Sequence, residues 1–101
     1  MTPKPQFSWF LPLAATAAAG PDTLAVIAAK IGAQPNMELR TIFRSLEHNG
    51  LVLKYKGDRI GKRSVVFSIT APGAKLLDDF CRAADVARGL FRDAPGRVIA
   101  L

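Results

Sequence analysis

The chain has 101 residues, half of them apolar, with a formal net charge of +6 and a pI of about 10.1. That is room for one domain with a modest core. A single cysteine, Cys81, excludes an intrachain disulfide, and no apolar run reaches the length of a membrane helix.

Residues 1–7, with Pro3 and Pro5, read as an extended arm. A first, alanine-rich helix is predicted over 10–19, with Pro12 tolerated near its start and Gly20-Pro21 ending it. The same stretch has the outline of a signal peptide: Lys4 precedes an apolar run over 7–13, and A-x-A follows at 15–17 and 17–19. Pro12 interrupts that run and the charge ahead of it is weak, which favours the helix and with it a cytoplasmic address.

A second helix is predicted over 23–31, capped by Asp22 or Thr23. Leu24, Ile27, Ala28 and Ile31 share one face, and Gly32 is the left-handed stop. Residues 33–36 form a short turn containing Pro35. Asn36 caps a third helix over 37–49, whose inner face is Leu39, Ile42, Phe43 and Leu46, and Gly50 ends it.

The period then changes from helix to strand. Residues 51–56 alternate, with Leu51, Leu53 and Tyr55 on one side and Val52, Lys54 and Lys56 on the other. Residues 57–61, with two glycines and Asp58, read as a hairpin loop, and 62–70 as the returning strand with Val65, Phe67 and Ile69 inward. Thr70 and Pro72 open a fourth helix reaching about residue 91, in which Cys81 reads as a buried packing residue. Residues 93–101 form a tail with an apolar end. The fold class is mainly α with a small β-hairpin.

The excess charge is local. Residues 36–63 hold seven basic side chains against three acidic ones. The inner face of the third helix leaves Met37, Glu38, Arg40, Thr41, Arg44 and Ser45 outside. Arg40 and Arg44, four apart, share a face. Arginine suits the O6/N7 edge of guanine, and Thr41 can donate, accept or touch a thymine methyl. Glu38 reads as support for the helix N-terminus. The hairpin crowds Lys54, Lys56, Arg59, Lys62 and Arg63 against Asp58 alone. Such a strand pair repels itself unless a polyanion lies against it, so helix and hairpin together point to double-stranded DNA.

These residues resemble a family. Ser45-Leu46-Glu47-His48-Asn49-Gly50-Leu51-Val52 is similar to the recognition-helix end of the winged helix-turn-helix regulators of bacteria and archaea, especially the MarR and PadR types. Phe67-Ser68-Ile69-Thr70-Ala71-Pro72-Gly73-Ala74-Lys75-Leu76-Leu77 resembles their passage from wing to following helix, and 24–32 their second helix. The resemblance spans about 21–77. It implies a winged helix-turn-helix fold in which Arg40, Thr41 and Arg44 read bases and the wing touches backbone or minor groove. The turn at 33–36 is about one residue longer than in that family, and the chain is shorter than a typical MarR-type protein. That leaves the family's ligand cleft and paired dimerisation helices in doubt, so any small-molecule ligand stays open.

The fourth helix exceeds what a three-helix core needs. Leu76, Leu77, Phe80, Cys81, Ala84, Ala87, Leu90 and Phe91 form a wide apolar stripe, of which Phe80, Ala84, Ala87, Leu90 and Phe91 are expected to pair two copies in a homodimer. Phe7, Trp9, Phe10 and residues 98–101 could join that surface. The organisation expected is an arm (1–7), a winged domain (8–70) and a dimerising helix with its tail (71–101). No enzyme is expected. His48 is the sole histidine, suited to the last carbonyls of its helix or to phosphate, and Asp78 and Asp79 point to different sides of a helix. No cofactor, metal or membrane partner is expected. Two other readings share the fold: a winged-helix protein-interaction module, and a DNA-organising protein such as a plasmid-partition factor.

Overall fold

Three polar caps and three glycine stops, Gly20, Gly32 and Gly50, set most of the helix boundaries. The computed structural model describes residues 6–59 and 62–93, with the backbone alone for Asp58, Arg59, Lys62 and Arg63. A 3-10 turn over Phe7–Trp9 leads into α1 (Phe10–Ala19), then α2 (Leu24–Lys30), α3 (Met37–His48), β1 (Val52–Arg59), β2 (Lys62–Ile69) and α4 (Ala71–Arg92). The Thr23 hydroxyl accepts the Val26 N–H at 3.4 Å, Asn36 Oδ1 accepts the Leu39 N–H at 3.0 Å, and Thr70 Oγ1 accepts the Gly73 N–H at 3.1 Å. Each satisfies one of the N–H groups that a helix start leaves without an internal partner. Helices α2 and α3 end alike. Gly32 (φ 64°) and Gly50 (φ 71°) turn left-handed. Ala33 N–H then reaches back to the Ala28 carbonyl, and Leu51 N–H to that of Leu46, both at 2.9 Å. This is the Schellman arrangement, and it fixes the angle at which the chain leaves α3 for β1.

Strands β1 and β2 form an antiparallel hairpin in which Val52 faces Ile69, Lys54 faces Phe67, Lys56 faces Val65 and Tyr55 faces Val66. Since opposed residues share a sheet face, one side carries Val52, Lys54, Lys56, Val65, Phe67 and Ile69, and the other Leu53, Tyr55, Gly57, Ser64, Val66 and Ser68. On its far edge β2 meets a single residue of the segment before α2. Asp22 N–H donates to the Phe67 carbonyl at 3.2 Å and Phe67 N–H to the Asp22 carbonyl at 2.8 Å. The strands run to Arg59 and Lys62, so Gly57 and Asp58 are ladder residues and not loop. Cross-strand pairing outweighs their turn propensity. Residues 60 and 61, the rest of the expected loop, lie outside the described residues.

The two ends of the hairpin meet at a junction. The Thr70 hydroxyl donates to the Gly50 carbonyl at 2.6 Å, and Thr70 N–H to the Leu51 carbonyl at 3.1 Å. The turn leaving α3 and the turn entering α4 are therefore tied by two hydrogen bonds. Leu51 belongs to this turn, one residue before the strand it was expected to open.

The core is Trp9, Leu13 and Ala15 from the N-terminal segment, Ile27 and Ala28 from α2, Leu39, Phe43 and Leu46 from α3, and Leu51, Val52 and Phe67 from the hairpin. Phe43 and Phe67 meet edge to face at 5.0 Å. Buried Thr16 donates its hydroxyl to the Pro12 carbonyl at 2.7 Å, so no orphaned polar group results. Ile42 is only half-buried, the marginal member of its predicted face. Trp9 corrects an expectation: it is 2% exposed and part of the core, not of an outer apolar surface. The 3-10 turn begins at Phe7, shortening the extended arm, and it carries the indole inward. Phe10 is also used within the chain, stacked on Phe80 of α4 at 5.4 Å. Cys81, expected inside, is exposed. Helix α4 rests on the body along Gly73, Leu76, Leu77 and Phe80, and Cys81 falls about 100° round the helix from Phe80. Residues 1–5 of the arm and 94–101 of the tail lie outside the described residues.

Candidate nucleic-acid interface

Helix α3 presents three distinct flanks. Leu39, Phe43 and Leu46 are buried. At about 100° per residue, Met37, Thr41 and His48 lie diametrically opposite that line, and all three are exposed. Arg40, Arg44 and Glu47 occupy the flank turned to the hairpin. With Lys54 they line an open groove of ≈ 450 Å³ whose apolar wall is Leu24, Phe43, Val65 and Phe67. Lys54 reaches this groove because it pairs with Phe67 and so stands on the sheet face turned to α3.

Of the predicted cations, Arg40, Arg44 and Lys54 share this groove, and Lys56 stands two residues further along the same sheet face. Arg40, Arg44, Lys54 and Lys56 are exposed. Among the described residues the ion pairs are Arg82–Asp78 at 2.9 Å and Arg88–Asp85 at 3.5 Å, both within α4. The arginines of α3 and the lysines of β1 hold no such partner, and their charge is available to a ligand. The side chains of Arg59, Lys62 and Arg63 lie outside the described residues. Their backbone continues the ladder beyond Lys56 and Val65. Ser45 is half-buried, and its carbonyl accepts the Asn49 side-chain amide at 2.8 Å. Thr41 donates its hydroxyl to the Met37 carbonyl at 2.9 Å. Sequence reasoning did not place Glu47 in the groove. The signal was present, since 40, 44 and 47 follow the i, i+4, i+7 spacing of one helical stripe.

The stripe assigned to dimerisation divides in two. Phe80 and Ala84 are half-buried, Phe80 against Phe10. Ala87, Leu90 and Phe91 are exposed, the last two 71% and 74%. Val86 on the same half-helix is also exposed.

Solved structures share this architecture. The protein smu.1704 from Streptococcus mutans superposes with a TM-score of 0.72 at 22% identity, over 91% of this chain and 90% of that one. TA0346 from Thermoplasma acidophilum, named a transcriptional regulator, gives 0.65 at 19% identity over 88% and 93%. ZitR from Lactococcus lactis, in a cysteine-to-serine mutant form, gives 0.64 at 12% identity over 96% and 67%. The fold is a winged helix-turn-helix. In it α2 and α3 are the helix-turn-helix, β1 and β2 the wing, and α4 the helix that follows the wing. No protein-family model matches the chain, and no curated protein matches it in sequence. Among the described residues of this winged helix-turn-helix, no helix is long and apolar enough to cross a membrane, and no cluster of His, Cys, Asp or Glu could hold a metal ion.

Proposed function

We propose that this winged helix-turn-helix protein binds double-stranded DNA sequence-specifically and acts as a transcriptional regulator, working as a homodimer. Helix α3 enters the major groove, and the wing lies along the backbone or the adjacent minor groove. One observation carries this reading: Arg40 and Arg44 of α3 and Lys54 of the wing share one exposed groove, with no ion-pair partner among the described residues. Three cations there face a single carboxylate, Glu47, so the groove keeps an excess of positive charge that a line of phosphates would neutralise. Arg44, the nearer of the two arginines to the outermost line of α3, is the one we assign to a base edge. The apolar outer half of α4, with Leu90 and Phe91 in solvent, supports pairing with a second copy.

The test is selection of bound duplexes from a random pool, followed by affinity measurements across salt concentrations. Arg44→Ala is expected to relax preference at one position by about 1–3 kcal/mol. Lys54→Ala is expected to weaken all sequences alike and to reduce the salt slope by about one. Failure to retard any duplex at low salt would refute the reading and favour a winged helix that docks on protein.

A further inference from the structure

The outermost line of α3 carries few hydrogen-bond donors and is apolar at its N-terminal end. Met37, 72% exposed, and Thr41 stand one turn apart on it, opposite the buried Leu39–Phe43–Leu46 line. The Thr41 hydroxyl proton is already committed, donated to the Met37 carbonyl at 2.9 Å. That bond turns Oγ1 back onto the helix and leaves the γ-methyl as the group Thr41 offers outward. The donor-rich side chains, Arg40 and Arg44, are set to one flank, beside the wing. Nothing else in the described chain covers Met37, so an apolar group that met α3 at this end would gain by burying it.

From this we infer that the N-terminal end of α3 recognises the 5-methyl group of a pyrimidine, a thymine in ordinary DNA, through the Thr41 γ-methyl and the Met37 side chain. The inference rests on the proposed DNA-binding reading and adds what the arginines do not provide. In the major groove the thymine methyl is the one apolar feature of a base edge, and apolar side chains or a threonine methyl suit it. A hydroxyl that donates to its own helix cannot also donate to a thymine O4 or a guanine N7, so Thr41 does not read as a donor here.

The experiment uses the full chain and a duplex recovered by selection. Each thymine of the site is replaced in turn by deoxyuridine, which keeps every hydrogen-bonding group and removes the methyl alone. The expected result is about a fourfold loss of affinity at one thymine per half-site, the value of one buried methyl. Thr41→Ser, which keeps the hydroxyl and loses the methyl, is expected to lower the thymine-to-uracil ratio at that position, leaving only the part that Met37 supplies. Thr41→Val, which loses the hydroxyl and keeps a methyl, is expected to retain the ratio. Equal binding of the thymine and uracil duplexes at every position would overturn the inference while leaving DNA binding intact, as would an unchanged ratio in Thr41→Ser. If no duplex is retained at all, the inference falls together with the reading beneath it.

Discussion

Gly73→Ala tests how closely α4 is seated on the turn that leaves α3. A Cβ placed on Gly73 would lie 2.0 Å from the Leu51 carbonyl oxygen and 3.0 Å from both Leu51 C and Ile69 Cγ1. An ordinary carbon–oxygen contact is about 3.3–3.6 Å, so helix or turn must retreat by more than about 1 Å. The atom in the way is backbone, in a residue only 3% exposed, and no side-chain rotation relieves it. The retreat stretches the Thr70–Gly50 and Thr70–Leu51 hydrogen bonds, at 2.6 and 3.1 Å in the native junction. Each has a net value of about 1 kcal/mol, and overpacking adds roughly 1–3 kcal/mol. Against this, alanine gains about 1 kcal/mol over glycine within a helix. The balance is a loss of roughly 2–4 kcal/mol, which in a domain of this size lowers the melting temperature on the order of 15 °C. The same exchange at Gly89, in the same helix, meets nothing within 4 Å and is expected to stabilise by about 0.4–1 kcal/mol. Urea and thermal unfolding followed by circular dichroism measure both. A Gly73→Ala protein as stable as the parent would show that α4 is not seated on Leu51 as described.

Two further outcomes are expected. Replacing Leu90 and Phe91 together with glutamate leaves the monomer's unfolding free energy within about 0.5 kcal/mol, because both are exposed. It shifts the mass measured by light scattering from dimer to monomer, and an unchanged dimer mass would remove α4 from the proposed interface. Cys81, exposed on α4, is expected to react with a thiol reagent under native conditions at nearly the rate of the unfolded chain. Protection of that thiol in the native protein would place Cys81 under a partner.

Local rules made much of the architecture legible. Asn36 and Thr70 cap as read, and Gly32 and Gly50 stop their helices as read, because each choice depends on the conformation of a few neighbouring residues. The inner residues of α3 followed from spacing alone, and so did the arginine pair. What sequence did not show depends on which other element lies opposite. The alanine-rich α1 has little polar contrast, so nothing in its pattern reveals that Trp9 just before it turns inward. The apolar residues of α4 spread over a wide arc, but the body covers only the part along Gly73, Leu76, Leu77 and Phe80, which leaves Cys81 outside. The internal bond of Thr41 needed the helix built. Segments 45–52 and 67–77, similar to the winged-helix regulators as separate stretches, prove to be one junction. The carbonyls of Gly50 and Leu51 receive the donors of Thr70, and Gly73 has no side chain because Leu51 lies against it.

The Asp22–Phe67 bridge bears on colloidal behaviour as well as on fold. By pairing the outer side of β2 at Phe67, it shelters part of that strand, while β1 borders β2 alone in the sheet. A β-strand with an unpaired side can template edge-to-edge association and fibre growth, and lysines along it are a common deterrent. Lys54 and Lys56 occupy that strand, exposed. The mutual repulsion of these residues, a cost to an isolated hairpin, keeps two hairpins from zipping together while no polyanion screens them.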